Sequence, residues 1–100
     1  MSSNHAKDFL KNAMEHMDDR EATYDAPGGE RSMAKTVGAF NIITEHQLTV
    51  EQGWLFMGLL KKVRSQQGGY RADNYEDDAA YAALRGECAA YERKAEVIND

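Results

Sequence analysis

The residues best suited to chemistry in this chain are its acids, and they gather in two groups. Glu15, Asp18, Asp19, Glu21, Asp25 and Glu30 surround one stretch, and Asp73, Glu76, Asp77 and Asp78 surround another; together they are ten of the seventeen Asp and Glu residues. Two functions use such groups. Asp73 and Asp77, or Glu15 and Asp19, are four apart and share a face wherever the segment is helical. One or two carboxylates suffice to hold Mg²⁺ against phosphates. Alternatively, an acidic surface docks on a basic groove of the kind that holds nucleic acid. Solvated loops and helix starts, where acids complement the helix dipole, have the same composition. Carboxylates at this spacing are common by chance, so metal binding is the weaker functional reading, and no metal or cofactor is expected.

Tyr24, Tyr70 and Tyr75 lie in or beside the acidic stretches. One tyrosine beside acids is ordinary loop anchoring. Three beside two acidic stretches suit a protein interface, where tyrosine is enriched. The expected partner-binding set is therefore Asp18, Asp19, Glu21, Tyr24, Asp25, Tyr70, Asp73, Tyr75, Glu76, Asp77 and Asp78.

The remaining reactive side chains carry less. His5, His16 and His46 are far apart and form no metal-binding pair. Cys88 sits among alanines and a glycine, where a cysteine acts as a small core residue. A nucleophile needs a partnered base, and the sequence assigns none. Gly28-Gly29 and Gly68-Gly69 are followed by no Gly-Lys-Ser or Gly-Lys-Thr, so both pairs read as turns and not as phosphate loops. No catalytic residue is expected.

Composition narrows the class. The chain has 100 residues, 42% apolar and 29% charged, with a net charge of −5. This is a single globular domain, residues 1–100, with a modest core. Its acidity argues against direct nucleic-acid binding, which needs clustered Lys and Arg. One cysteine permits no internal disulfide, and residence in the cytoplasm is expected. The start of the chain lacks the apolar core of a signal peptide. The run Trp54 to Leu60 is too short to span a membrane.

Four helices must position these residues. Asn4 to about Arg20 carries Ala6, Phe9, Leu10, Ala13, Met14 and Met17 at helical spacing. Arg20 to Gly29, with Pro27 and Gly28-Gly29, reads as a reversing loop. Glu30 to about Glu45 is a second helix, with Met33, Val37, Phe40 and Thr44 in one stripe. The third helix, about residues 50–65, is the densest apolar segment. Trp54, Leu55, Phe56, Met57, Leu59, Leu60 and Val63 cover most of its circumference, which predicts a central helix buried nearly all round. Thr49 and Gln52 have capping-box spacing, and Lys61, Lys62 and Arg64 suit the negative end of the dipole. Gly68-Gly69 stops it. Asn74 is the expected N-cap of a last helix that runs to about Val97. The fold expected is all-α, a compact four-helix domain with a buried central helix and no strand.

The segments REATYDAPGGERSM, AFNIITEHQLTVEQGWLFMGLLKKVR and DNYEDDAAYAAL resemble a family of small phage and prophage proteins. The resemblance rests on Tyr24 with Gly28-Gly29; on Thr44, His46, Leu48 and Thr49; on Leu59, Leu60, Lys61 and Arg64; and on Asp73, Asp77 and Tyr81. It covers roughly Arg20 to Glu87. In size, acidity and phage character the chain is also similar to anti-CRISPR proteins that inhibit type I-F surveillance complexes. That resemblance implies a non-enzymatic monomer in the host bacterial cytoplasm. It would bind the basic surface of a Cas protein–crRNA complex through its acidic loops and block target DNA. A looser resemblance is to all-α nucleotide pyrophosphohydrolases, which hold Mg²⁺ against a triphosphate with carboxylates on two helices. Here Glu15, Asp19, Asp73 and Asp77 would serve. The chain lacks that family's paired E-x-x-E helices: Glu15 is followed by Asp18, and Glu51 stands alone on the third helix. A helical scaffold that self-associates through its Ala-rich last helix is the third alternative.

Overall fold

A computed structural model of the chain describes residues 4–24 and 32–93, with the side chains of Thr23 and Tyr24 outside the description. Four α-helices follow in order: α1 (Ala6–Tyr24), α2 (Ser32–Thr44), α3 (Val50–Ser65) and α4 (Ala72–Glu92). There is no strand among the described residues, and the domain is all-α. The expected turn at Pro27 and Gly28-Gly29, and the last residues of the expected fourth helix, lie outside the described residues.

The packing is led by α3 against α4, then α1 against α4, and then α2 against α3. Contacts between α3 and α4 run in opposite directions, from Glu51 with Arg93 at one end to Lys61 with Asp77 at the other. The two form an antiparallel hairpin around the Gly68-Gly69 turn. Gly68 takes φ +69°, the left-handed value for which glycine is suited.

Trp54 of α3 stacks on Tyr81 of α4, with centroids 5.5 Å apart and planes at 24°. Leu84 completes this buried cluster, and Met17, Met33, Val50, Met57 and Cys88 pack around it. The Arg20 guanidinium lies 5.6 Å from the Tyr81 ring centre and brings the end of α1 to the same place.

The start of α3 follows the sequence closely. Thr49 Oγ1 accepts from the Gln52 amide at 3.1 Å, and Gln52 Oε1 accepts from the Thr49 amide at 2.9 Å, a complete capping box. The linker before it is held by Asn41. Its Nδ2 donates to the Leu48 carbonyl, and its Oδ1 accepts from the Leu48 amide, both at 2.9 Å. Glu45 within that linker adopts φ +58°.

Three local expectations change. First, α3 lies between α2 and α4, but its burial is one-sided. Gly53, Trp54 and Gly58 are buried, while Leu55, Phe56, Leu59 and Val63 are exposed. α1 docks on α4, so none of the described helices covers the outer side of α3. Second, α1 turns a partly polar face to its neighbour. Asp8, Phe9, Asn12, Ala13, Met17 and Arg20 are its intermediate or buried positions and His16 reaches α4 directly, whereas Leu10 and Met14 are 59% and 65% exposed. Third, α4 begins at Ala72 with Arg71 as N-cap, and Asn74 is buried inside the first turn. Packing of Asn74 on the same side as Tyr81 outweighs its preference for a cap.

Candidate functional site

The described polar groups converge where α3 ends and α4 begins. Lys61 and Arg64, three residues apart, project from the last turns of α3. The Gly68-Gly69 turn then returns the chain so that Arg71, Asp73 and Asn74 face them. With Gln67 these side chains line a cleft of about 330 Å³. Its lining carries three cations and one carboxylate, a positive spot on a chain of net charge −5. The start of α4 adds the positive end of a helix dipole.

Most charges here are already engaged. Arg71 meets Asp73 through two bonds, Nε to Oδ1 and Nη2 to Oδ2, each 3.2 Å. Hydrogen bonding from that guanidinium holds the Asp73 carboxyl below its usual range, so it is ionised at neutral pH. Lys61 Nζ lies 2.9 Å from Asp77 Oδ2, and Lys62 Nζ lies 2.8 Å from Asp78 Oδ1. Arg64 is exposed, and no carboxylate pairs with it among the described residues.

Asn74 and Glu76 are the buried polar residues of the described chain, and both belong to the first turns of α4. Asn74 lines the cleft. Glu76 faces α1, where Asn12 Nδ2 donates to it at 2.7 Å and His16 Nε2 lies 3.0 Å from its other oxygen. One turn of α4 thus fastens α1 on one side and shapes the cleft on the other.

The expected partner-binding residues are therefore split. Asp18, Asp19 and Glu21 are exposed on α1. Tyr70 and Tyr75 are exposed and stacked on one another at 5.9 Å, with Phe9 edge-on to Tyr75 at 6.3 Å. Asp73, Asp77 and Asp78 are partly covered and bonded to cations of the same chain. Glu76 is buried and turned inward, so its carboxylate does not sit on a docking surface. Asp25 lies outside the described residues, as does the side chain of Tyr24.

The multi-carboxylate site of the hydrolase alternative is not assembled. Glu15 and Asp19 are exposed on α1, and Asp73 and Asp77 are bonded to Arg71 and Lys61 instead of turning toward them. No group of three or more His, Cys, Asp and Glu side chains converges on a metal position among the described residues. Lys61, Arg64 and Arg71 were absent from the expected site. Their signal was spacing: two cations three apart at a helix end, then Gly-Gly, then a third cation beside an acid.

Cys88 is half-buried against Trp54. Burial raises its pKa, with the nearby Glu92 and Glu87 charges adding to the effect, so it is a neutral thiol at pH 7.

A family profile matches residues 8–89, from the first turn of α1 to near the end of α4. The chain belongs to the DUF6378 family, a domain of unknown function. The matched span includes every residue of the cleft and the Glu76 contact with α1. No curated protein and no solved structure matches the chain. No helix among the described residues is long and apolar enough to cross a membrane.

Proposed function

We propose that this domain binds the phosphates of a small anionic ligand, a nucleotide in the first instance, in the cleft between the end of α3 and the start of α4. The observation that carries this reading is the convergence of Lys61, Arg64 and Arg71 on one cleft at a helix N-terminus. Arg64 supplies a guanidinium that pairs with no carboxylate among the described residues, suited to bidentate phosphate contacts. Arg71 is held in place by Asp73, and the buried Asn74 adds a neutral polar group at the floor. The nucleotide class follows from the loose likeness of the LLK-x-x-R and D-x-x-x-D segments to all-α pyrophosphohydrolases. Binding is proposed without hydrolysis, because the carboxylates of α1 do not join those of α4.

Calorimetric titration with nucleoside mono-, di- and triphosphates tests this. Affinity should rise with phosphate number and fall at least tenfold in Arg64→Ala. Absence of binding across the common nucleotides, or binding unaffected by Arg64→Ala, overturns the reading.

A second reading is favoured by one observation, the exposure of Asp18, Asp19 and Glu21 together on α1. This acidic segment would dock on a basic surface such as that of a type I-F surveillance complex and exclude DNA, the anti-CRISPR function implied by the sequence resemblance. Binding would weaken with salt. Asp18→Lys with Asp19→Lys should abolish retention by the purified complex. Failure of the wild-type chain to be retained removes this reading.

A further inference from the structure

We propose that the outer side of α3 is a self-association surface, on which a second copy of this chain packs its own α3 antiparallel across a two-fold axis near Leu59. The proposal is independent of the ligand cleft.

The surface is apolar, and no other described helix covers it. Leu55, Phe56, Leu59 and Val63 are 39%, 68%, 50% and 56% exposed. Their spacing places them on one side of the helix, opposite the side on which Trp54 and Lys61 meet α4. The core that the chain makes alone is small. Trp54, Tyr81 and Leu84 form its buried cluster, and no large side chain among the described residues is less than 2% exposed. An apolar stripe in a domain with so little core is a surface that association completes.

Charge selects the occupant. The stripe runs from Gln52 to Gln66 and carries no carboxylate. Lys62 at its margin is neutralised by Asp78 at 2.8 Å, and Glu51 at the other margin is bonded to Arg93 at 2.7 Å. On a chain of net charge −5 this acid-free stripe lets another acidic molecule approach without like-charge contact. A basic partner gains nothing from it.

The stripe is also self-complementary. Leu55 and Val63 lie four residues either side of Leu59, and Gln52 and Gln66 lie seven either side. In a two-fold antiparallel pair, the residue at i meets the residue at j and the reverse. Leu55 then faces Val63 of the second copy, Gln52 faces Gln66, and Leu59 meets Leu59 at the axis. The four apolar side chains leave roughly 400 Å² in water, about half of the ~800 Å² that one partner gives to a standard interface, and Gln52, Lys62 and Gln66 border them. A dimer here departs from the monomer expected of the sequence, and it uses α3 in place of the Ala-rich α4.

Light scattering coupled to size exclusion on the full chain tests the proposal. The expected mass is twice 11.2 kDa. Phe56→Glu with Leu59→Glu should give a folded monomer with unchanged helical circular dichroism, because both side chains are exposed in the single chain. In a Cys88→Ala background, Leu59→Cys should form an intermolecular disulfide on mild oxidation, whereas Tyr91→Cys should not. A wild-type chain that stays monomeric up to its solubility limit overturns the proposal. So does a dimer that survives the double Glu substitution, or one in which Leu59→Cys fails to cross-link.

Discussion

Lys61 Nζ of α3 stands 2.9 Å from Asp77 Oδ2 of α4, and both side chains are largely buried. The pair closes the hairpin at the edge of the cleft, so it bears on stability and on ligand binding together. Lys61→Met should destabilise the fold by about 2 kcal/mol, because a partly buried carboxylate loses its partner. Adding Asp77→Asn should recover most of that loss in urea unfolding. Arg64→Ala should leave the unfolding midpoint within experimental error while weakening phosphate binding. The two cations separate a structural role from a ligand role.

Glycines of α3 and α4 should respond oppositely to alanine. A Cβ on Gly53 would come within 2.5 Å of Met33 Sδ and 2.8 Å of Val37 Cγ2, so α2 would have to move off α3. Gly53→Ala should cost about 1–2 kcal/mol, an overpacking loss partly offset by better helix propensity. Gly86 has open space around it. Gly86→Ala should therefore stabilise the domain by about 0.5–1 kcal/mol. Thermal melts of the two variants check both signs.

Glu76 is the buried carboxylate to which Asn12 and His16 of α1 are bonded. Glu76→Ala should cost about 1–3 kcal/mol, since it leaves polar groups of α1 without their partner. Hydrogen exchange should report the loss in α1 first, with α3 and α4 still protected.

The Arg71 to Asp73 contact gives a dependence on acid. The folded-state pKa of Asp73 is lowered from the ordinary 3.8, so its contribution is fully present above that value. It is lost as the pH falls through the lower folded-state value. The stability difference between wild type and Asp73→Asn should be constant through neutral pH and shrink only at pH below about 4. Because the side chain is 44% exposed, the difference is small. Urea titrations at a series of pH values check it.

Cys88 should behave as a slow thiol. Its raised pKa and contact with Trp54 keep it protonated, so labelling by a disulfide reagent at pH 8 should be several-fold slower than in urea. Labelling at equal rates would mean that α4 opens near its end.

How much of this was legible depended on range. The Thr49 and Gln52 box was readable because its partners are three residues apart. The Gly68 turn was readable because paired glycines just past a helix supply the left-handed residue that a reversing turn uses. The face of α1 was not. Leu10 and Met14 are more apolar than Asn12 and His16, yet it is the polar pair that reaches α4, because Glu76, some sixty residues later, bonds to it. The extent of burial of α3 was misjudged for a related reason: an apolar circumference states a demand for cover, and three helices supply it on only part of the surface. The cleft was hidden because Lys61 and Arg64 look like dipole complements until the turn places Arg71 opposite them.

The Asn41 side chain mimics a peptide unit, offering one donor and one acceptor to the backbone of Leu48. This fixes the phase of α2 relative to α3 as a gear tooth fixes two shafts. Adding one residue to the linker between Glu45 and Leu48 would lengthen the loop that these two bonds close and would weaken them. The linker should therefore be more sensitive to a change of length than to a change of residue.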